Sequence, residues 1–157
     1  MSATPKSKTL ATWLAVLGGT LGAHRFYLHG LKDPIAWLHP LPTLIGLAGV
    51  IRMRNLGQDD TVSWLLIPLF GGMVSVAMLS AILIGLTNDE RWAARFGAGQ
   101  EPRPTGWGPV LGAIVALFLG GAVLMGSIAF GGQKYFEWQK EKAAATAAAR
   151  APSSNLA

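Results

Sequence analysis

The chain has 157 residues, of which 51% are hydrophobic and only 13% are charged, and its net charge is +5. The charged share is about half that of a typical soluble domain, which favours a small membrane protein of one unit. Cysteine is absent, which excludes disulfides and cysteine metal sites. The sequence has no dense basic run of the kind that binds nucleic acid. We therefore expect the excess Lys and Arg to determine the orientation of the chain in the membrane.

The first apolar run covers residues 10–23 and has 14 residues. That is about 21 Å of helix, so it crosses a bilayer only if the helix continues through His24 and Arg25 toward Leu28. In that case we expect Arg25 and His24 to contact backbone carbonyls, Asp33 or lipid phosphate.

The second apolar run covers residues 35–51 and contains Pro40 and Pro42. Each proline lacks an amide donor and disfavours helix just before it, so the segment is either a kinked span or a broken, re-entrant one. We favour a span that begins near Pro34.

Two longer runs follow, at residues 62–86 and 107–132, with 25 and 26 residues and no charge. Each is long enough to cross a bilayer with some tilt. The polar loop between them is predicted to carry a short surface helix whose Trp92 and Phe96 face the membrane. After residue 132 the last helix is predicted to emerge into water and to fray before its end.

These runs predict an all-α integral membrane protein with four transmembrane helices in two hairpins, the second helix kinked by proline. The predicted units are a polar lead (1–8), a membrane hairpin (9–54), a second membrane hairpin (55–132) with the polar loop 88–105, and a cytoplasmic helical tail (133–157). Four crossings put both termini on one face, which then carries eight of the 13 Lys and Arg residues. This bias predicts cytoplasmic termini in a bacterial-type inner membrane.

A polar, glycine-rich string ends the first apolar run. Ala11, Ala15, Gly18 and Gly22 share one face of a continuous helix, which lets a partner backbone approach closely. The turn residues of the string are Gly18, Gly19, Gly22, Ala23, His24, Arg25, Phe26 and Tyr27. On these residues the string resembles the TM-2 domain family, also called the NINE protein family, over roughly the first third of the chain. The resemblance implies a membrane hairpin whose turn acts through packing and through headgroup or partner contact.

The three histidines do not form a recognisable metal site. His24, His29 and His39 lie five and ten residues apart, off a single helical turn, without Cys or clustered carboxylates. We therefore expect no metal and no cofactor, and Asp60 is expected to cap the helix that follows it.

Small residues also recur along the last span, at Gly108, Gly112, Ala116 and Gly120. This spacing suits either packing within the chain, which we favour, or dimerisation. The two long spans carry no ionisable residue, which disfavours a pump or a coupled transporter.

The leading interpretation is a multi-pass membrane protein that is not an enzyme. It would act by helix packing or scaffolding with itself or another membrane component, with the lipid bilayer as its environment and no nucleic-acid partner. The alternative is a subunit of a small oligomeric channel or transporter. An enzyme ranks third, because no nucleophile and base pair, metal cluster or phosphate loop is visible.

Overall fold

The computed structural model describes residues 4–58 and 60–150, and all regular structure within them is helical. This confirms the predicted all-α class. The helices are α1 (Lys8–Gly18), a 3-10 helix (Gly19–Leu21), α2 (Ala23–His29), α3 (Pro34–Leu38), α4 (Pro40–Leu56), α5 (Thr61–Gly85), α6 (Asp89–Phe96) and α7 (Gly108–Arg150).

Four helices begin at a polar residue that caps them. Ser7, Asp33, Asp60 and Asn88 each accept a hydrogen bond from a backbone amide in the first turn of α1, α3, α5 and α6 respectively. Such side chains satisfy amides that have no partner within the helix. The predicted cap at Asp60 and the predicted helix after Asn88 are both confirmed.

Helix α5 is the centre of the bundle and packs against α7, α4 and α1. The core between α1, α5 and α7 is built from small side chains around one methionine: Ala15, Ala77, Met78, Ala81 and Ala116. Small residues let helix backbones approach closely. In a bilayer, where the hydrophobic effect does not drive helices together, this close van der Waals packing stabilises the bundle.

Three helical segments in the described part of the chain are long and apolar enough to cross a membrane: Pro34–Leu56, Thr61–Gly85 and Gly108–Arg150. The first combines α3 and α4, which meet at His39 before Pro40, the position where a proline kink was predicted. The expected fourth span does not form as one helix. Helix α1 has 11 residues, about 16 Å, which is too short to cross a bilayer.

The chain instead turns back after α1. Gly22 adopts φ of 77°, in the left-handed region, which ends the helix before His24 and Arg25. Helix α2 then returns to the level where α1 began. This is shown by the Lys6 ammonium, which donates to the carbonyls of Tyr27 and Leu28. We call residues 8–29 the short hairpin.

Both ends of the short hairpin lie beside the polar loop that connects α5 and α7. The Lys8 ammonium donates to the Thr87 carbonyl at 2.8 Å and to the Asp89 carboxylate at 2.5 Å. Four crossings would separate these segments by the thickness of a bilayer. The described helices thus give three candidate spans and not clearly the four that were predicted.

Helix α7 has 43 residues, about 64 Å at the usual rise, so it extends about 27 Å beyond residue 132. The predicted helical continuation is confirmed through Arg150. The frayed end predicted for the last residues lies outside the described part of the chain.

Candidate functional site

Glycines make the turn of the short hairpin possible. A Cβ on Gly22 would lie 2.5 Å from the Ala36 carbonyl oxygen, and one on Gly19 would lie 2.7 Å from the Ala77 Cβ. On Gly18 it would meet the Ala23 side chain at 2.9 Å. Gly22 and Gly19 need glycine because the turn presses directly against α3 and α5, and Gly18 needs it because α2 packs closely on the end of α1. Gly22 lies outside α1, so the predicted four-residue helical seam is interrupted there.

Arg25 is the charged residue of the turn motif, and it pairs with Asp33. The Arg25 Nε lies 2.9 Å from the Asp33 Oδ2, and the Asp33 side chain is only 8% exposed. Asp33 also accepts from the Ile35 amide at 3.0 Å. The hydrogen bond from Arg25 lowers the pKa of Asp33. Of the three expected partners for Arg25, the structure shows Asp33.

His24 is buried, with 3% of its surface exposed, and its Nδ1 has no hydrogen-bond partner among the described residues. Its ring meets the His39 ring edge to face at 5.8 Å between centroids. The His39 Nδ1 lies 2.7 Å from the Ile35 carbonyl oxygen. Spacing alone missed this pair, because His24 lies on α2 and His39 at the junction of α3 and α4, which only the fold of the hairpin brings together.

The described residues contain no group of three or more His, Asp and Glu that could hold a metal ion. His29 is exposed and packs its ring against Phe96, with 6.1 Å between the ring centroids.

The aromatic residues of the motif anchor the outside of α2. Phe26 meets Trp37 edge to face at 5.1 Å between ring centroids. The Tyr27 hydroxyl accepts from the Ser7 amide at 2.8 Å, and the Lys6 ammonium lies 5.4 Å from the Tyr27 ring centroid. Each contact fastens α2 either to the residues before α1 or to α3.

A polar junction joins the start of α1 to the loop 86–107. Asp89 accepts from Lys8 at 2.5 Å and from the Thr105 hydroxyl at 2.8 Å. These bonds, the one from Lys8 above all, lower the pKa of Asp89. Lys8 is 5% exposed, so its charge is buried but paired.

Trp92 completes this junction. Its indole nitrogen donates to the Lys6 carbonyl at 2.8 Å, and the residue is 7% exposed. The prediction that Trp92 faces the membrane is therefore wrong. It failed because helical periodicity defines a face but does not identify the segment that covers it.

The small residues at the start of α7 face helices of the same chain. A Cβ on Gly108 would lie 2.7 Å from the Thr9 Cγ2, and one on Gly112 would lie at the same distance from the Thr12 Cγ2. Gly120 faces Met78 in the same way, and Ala116 is fully buried. These are intrachain contacts with α1 and α5.

These features define a small helical membrane protein, in which a short polar hairpin is fastened to one end of a bundle of apolar helices. Residues 4–53 match the family model of the TM2 domain. The match covers the N-terminal third of the chain and confirms the resemblance carried by the turn motif. No curated protein and no solved structure matches the chain.

Proposed function

We propose that this chain is a non-enzymatic membrane protein that acts by packing its helices against a second copy or another membrane protein. The observation that carries the proposal is the outer face of α7. Phe118, Met125 and Ile128 are 74%, 65% and 60% exposed there, and they surround Gly121, which has no atom within 4 Å of its Cβ position. A groove of this kind suits close approach of another helix.

The turn motif supports this function indirectly. Gly22, Arg25 and Tyr27 all contact residues of their own chain. We infer that they hold the bundle together and thereby fix which helix faces remain open to partners.

Cross-linking in native membranes tests the proposal, and the chain has no cysteine that would interfere. A Gly121→Cys variant is expected to give a cross-linked species. Leu79→Cys on α5, which is also exposed, is the matched control and is expected to give much less. If neither cysteine variant gave a cross-linked species, the scaffolding proposal would be contradicted. Solute flux by the purified chain in liposomes would also contradict it and would favour the channel alternative.

For the topology, we propose three crossings and a short hairpin that enters the membrane and leaves it on the same face. The support is the contact of Lys8 with Asp89 and the 11-residue length of α1. The residues before α1 and those after α7 then lie on opposite faces. Seven of the 13 Lys and Arg residues lie on the first face and six on the second, so charge favours neither orientation.

Single cysteines at exposed loop positions distinguish the two layouts. Three crossings place Thr4, Gly30 and Gln100 on one face, with Gln58 and Gln139 on the other. Four crossings would instead group Thr4 with Gln58 and Gln139. Labelling of Thr4→Cys by an impermeant maleimide is therefore decisive. With three crossings it is labelled from the same side of the membrane as Gln100→Cys, and with four crossings it is labelled from the opposite side.

A further inference from the structure

A basic cavity lies between α2, the end of α5 and α6. Its volume is about 420 Å³, and its lining contains three arginines and two histidines but no carboxylate: Arg25, Arg91, Arg95, His24 and His29. Arg25 is paired with Asp33, which does not line the cavity, but the cluster as a whole carries excess positive charge and attracts anions. We propose that this cavity binds the phosphate headgroup of an anionic phospholipid.

The arginines have donors available for such a ligand. Arg25 uses Nε for Asp33, and its terminal amino groups make no hydrogen bond within residues 4–58 and 60–150. Arg91 and Arg95 are exposed, one turn apart on α6, and form no ion pair within the same ranges. Guanidinium groups bind phosphate oxygens through paired, charge-assisted hydrogen bonds.

The rest of the lining is apolar, which favours a lipid over a free phosphate. Leu28, Leu83, Ile84 and Phe96 line the cavity together with the arginines, and Leu83 is 63% exposed. From Ser80 to Thr87 the lining follows about 10 Å along the end of α5 and the two residues after it. An acyl chain leaving the headgroup would therefore run along an apolar surface that is open to the bilayer.

The position of the cavity agrees with this ligand. Thr87 follows the end of α5 by two residues and lies beside the paired Lys8 and Asp89, where charged groups mark the membrane surface. The proposal thus rests on the proposed topology, in which this end of the bundle lies at the headgroup level.

Native mass spectrometry of the detergent-solubilised full chain tests the site. Dioleoylphosphatidylglycerol is the probe, and dioleoylphosphatidylcholine is the neutral comparison. One bound phosphatidylglycerol is expected, with clearly weaker binding of phosphatidylcholine. Replacing both Arg91 and Arg95 by Gln should weaken phosphatidylglycerol binding about 25-fold, because each basic residue near an anionic surface contributes on the order of a fivefold factor.

The matched control is Arg103→Gln, a loop arginine that lines a different cavity, and it should bind phosphatidylglycerol as the unmodified chain does. Replacing Arg91 and Arg95 by Lys should retain most of the binding. Equal binding of the two lipids, or no loss in the double Gln variant, would overturn the proposal. Displacement of the lipid by inorganic phosphate at low millimolar concentration would show a free-phosphate site instead. Cysteine labelling reports the topology separately, so failure of lipid binding is distinguishable from failure of the membrane layout.

Discussion

The ammonium group of Lys8 lies 2.5 Å from the carboxylate of Asp89, a residue 81 positions later in the chain. This pair fastens the first turn of α1 to the loop between α5 and α7. Because α1 is too short to cross a bilayer, the contact also sets the level at which the short hairpin begins.

Asp89→Asn is expected to lower the free energy of unfolding by about 2 kcal/mol. The substitution leaves the Lys8 charge at 5% exposure without a counterion, and breaking a buried pair costs more than the pair contributes. The expected loss of stability is smaller than for a fully buried pair because the Asp89 side chain is 31% exposed. Thermal unfolding in detergent measures the change. Glu90→Gln, at an exposed neighbouring position, is the control, and an equal loss in both variants would argue against a specific role for the pair.

Acid is expected to destabilise the bundle through its paired carboxyl groups. The hydrogen bond from Arg52 is the main reason that the pKa of Asp60 is lowered to about 2, and the pKa values of Asp33 and Asp89 are also lowered. A lowered pKa in the folded state stabilises the fold above the unfolded pKa, near 3.9, and this contribution is lost as the pH falls through the folded value. The unfolding temperature should therefore drop between about pH 4 and pH 2. Asp60→Asn should make this drop in unfolding temperature smaller. If the variant lost as much stability in acid as the unmodified chain, the pair of Arg52 and Asp60 would not contribute to the pH dependence.

Two glycines with positive φ separate strain from crowding. Gly22 has φ of 77° and Gly99 has φ of 81°, but of the two only Gly22 has atoms, those of Ala36, within 4 Å of its Cβ position. Alanine at Gly99 should cost about 1 kcal/mol of stability, the usual penalty of a positive φ. Alanine at Gly22 should cost about 1–3 kcal/mol more, from displacement of α3. Unfolding measurements on both variants give the difference, and similar losses would mean that the turn does not press against α3.

Much of the helical layout was predictable from local signals. The two long apolar runs correspond to α5 and α7, and Asp60 and Asn88 cap the helices that follow them. The boundary between α3 and α4 lies at His39, directly before Pro40. The turn motif led to the TM2 domain family, which the match over residues 4–53 confirms.

The direction of the short hairpin was not predictable in the same way. Hydropathy showed that residues 10–23 are apolar, but the reversal depends on the left-handed backbone at Gly22 and on Lys8 reaching Asp89. Both are tertiary properties. The same applies to Trp92, whose covering segment lies 86 residues earlier in the chain, and to the meeting of His24 with His39.

The glycines of α7 provide the last prediction, because two of them differ only in what faces them. A Cβ on Gly112 would lie 2.7 Å from the Thr12 Cγ2. Thr12 is fully buried and its hydroxyl is bound to the Lys8 carbonyl, so its methyl group cannot rotate away without losing that bond. Gly112→Ala should therefore lower stability by about 1–3 kcal/mol.

Gly121→Ala should leave stability unchanged or slightly raised, since its Cβ position is open and alanine is the better helix former. The expected order of unfolding temperatures is thus Gly112→Ala below the unmodified chain, and Gly121→Ala at or above it. Gly121→Leu adds a second readout: in a chain that carries Met125→Cys on the same face, it should reduce cross-linking through the outer face of α7 without destabilising the chain. A Gly121→Leu variant that unfolds earlier would place that face inside the fold and remove it as a partner surface.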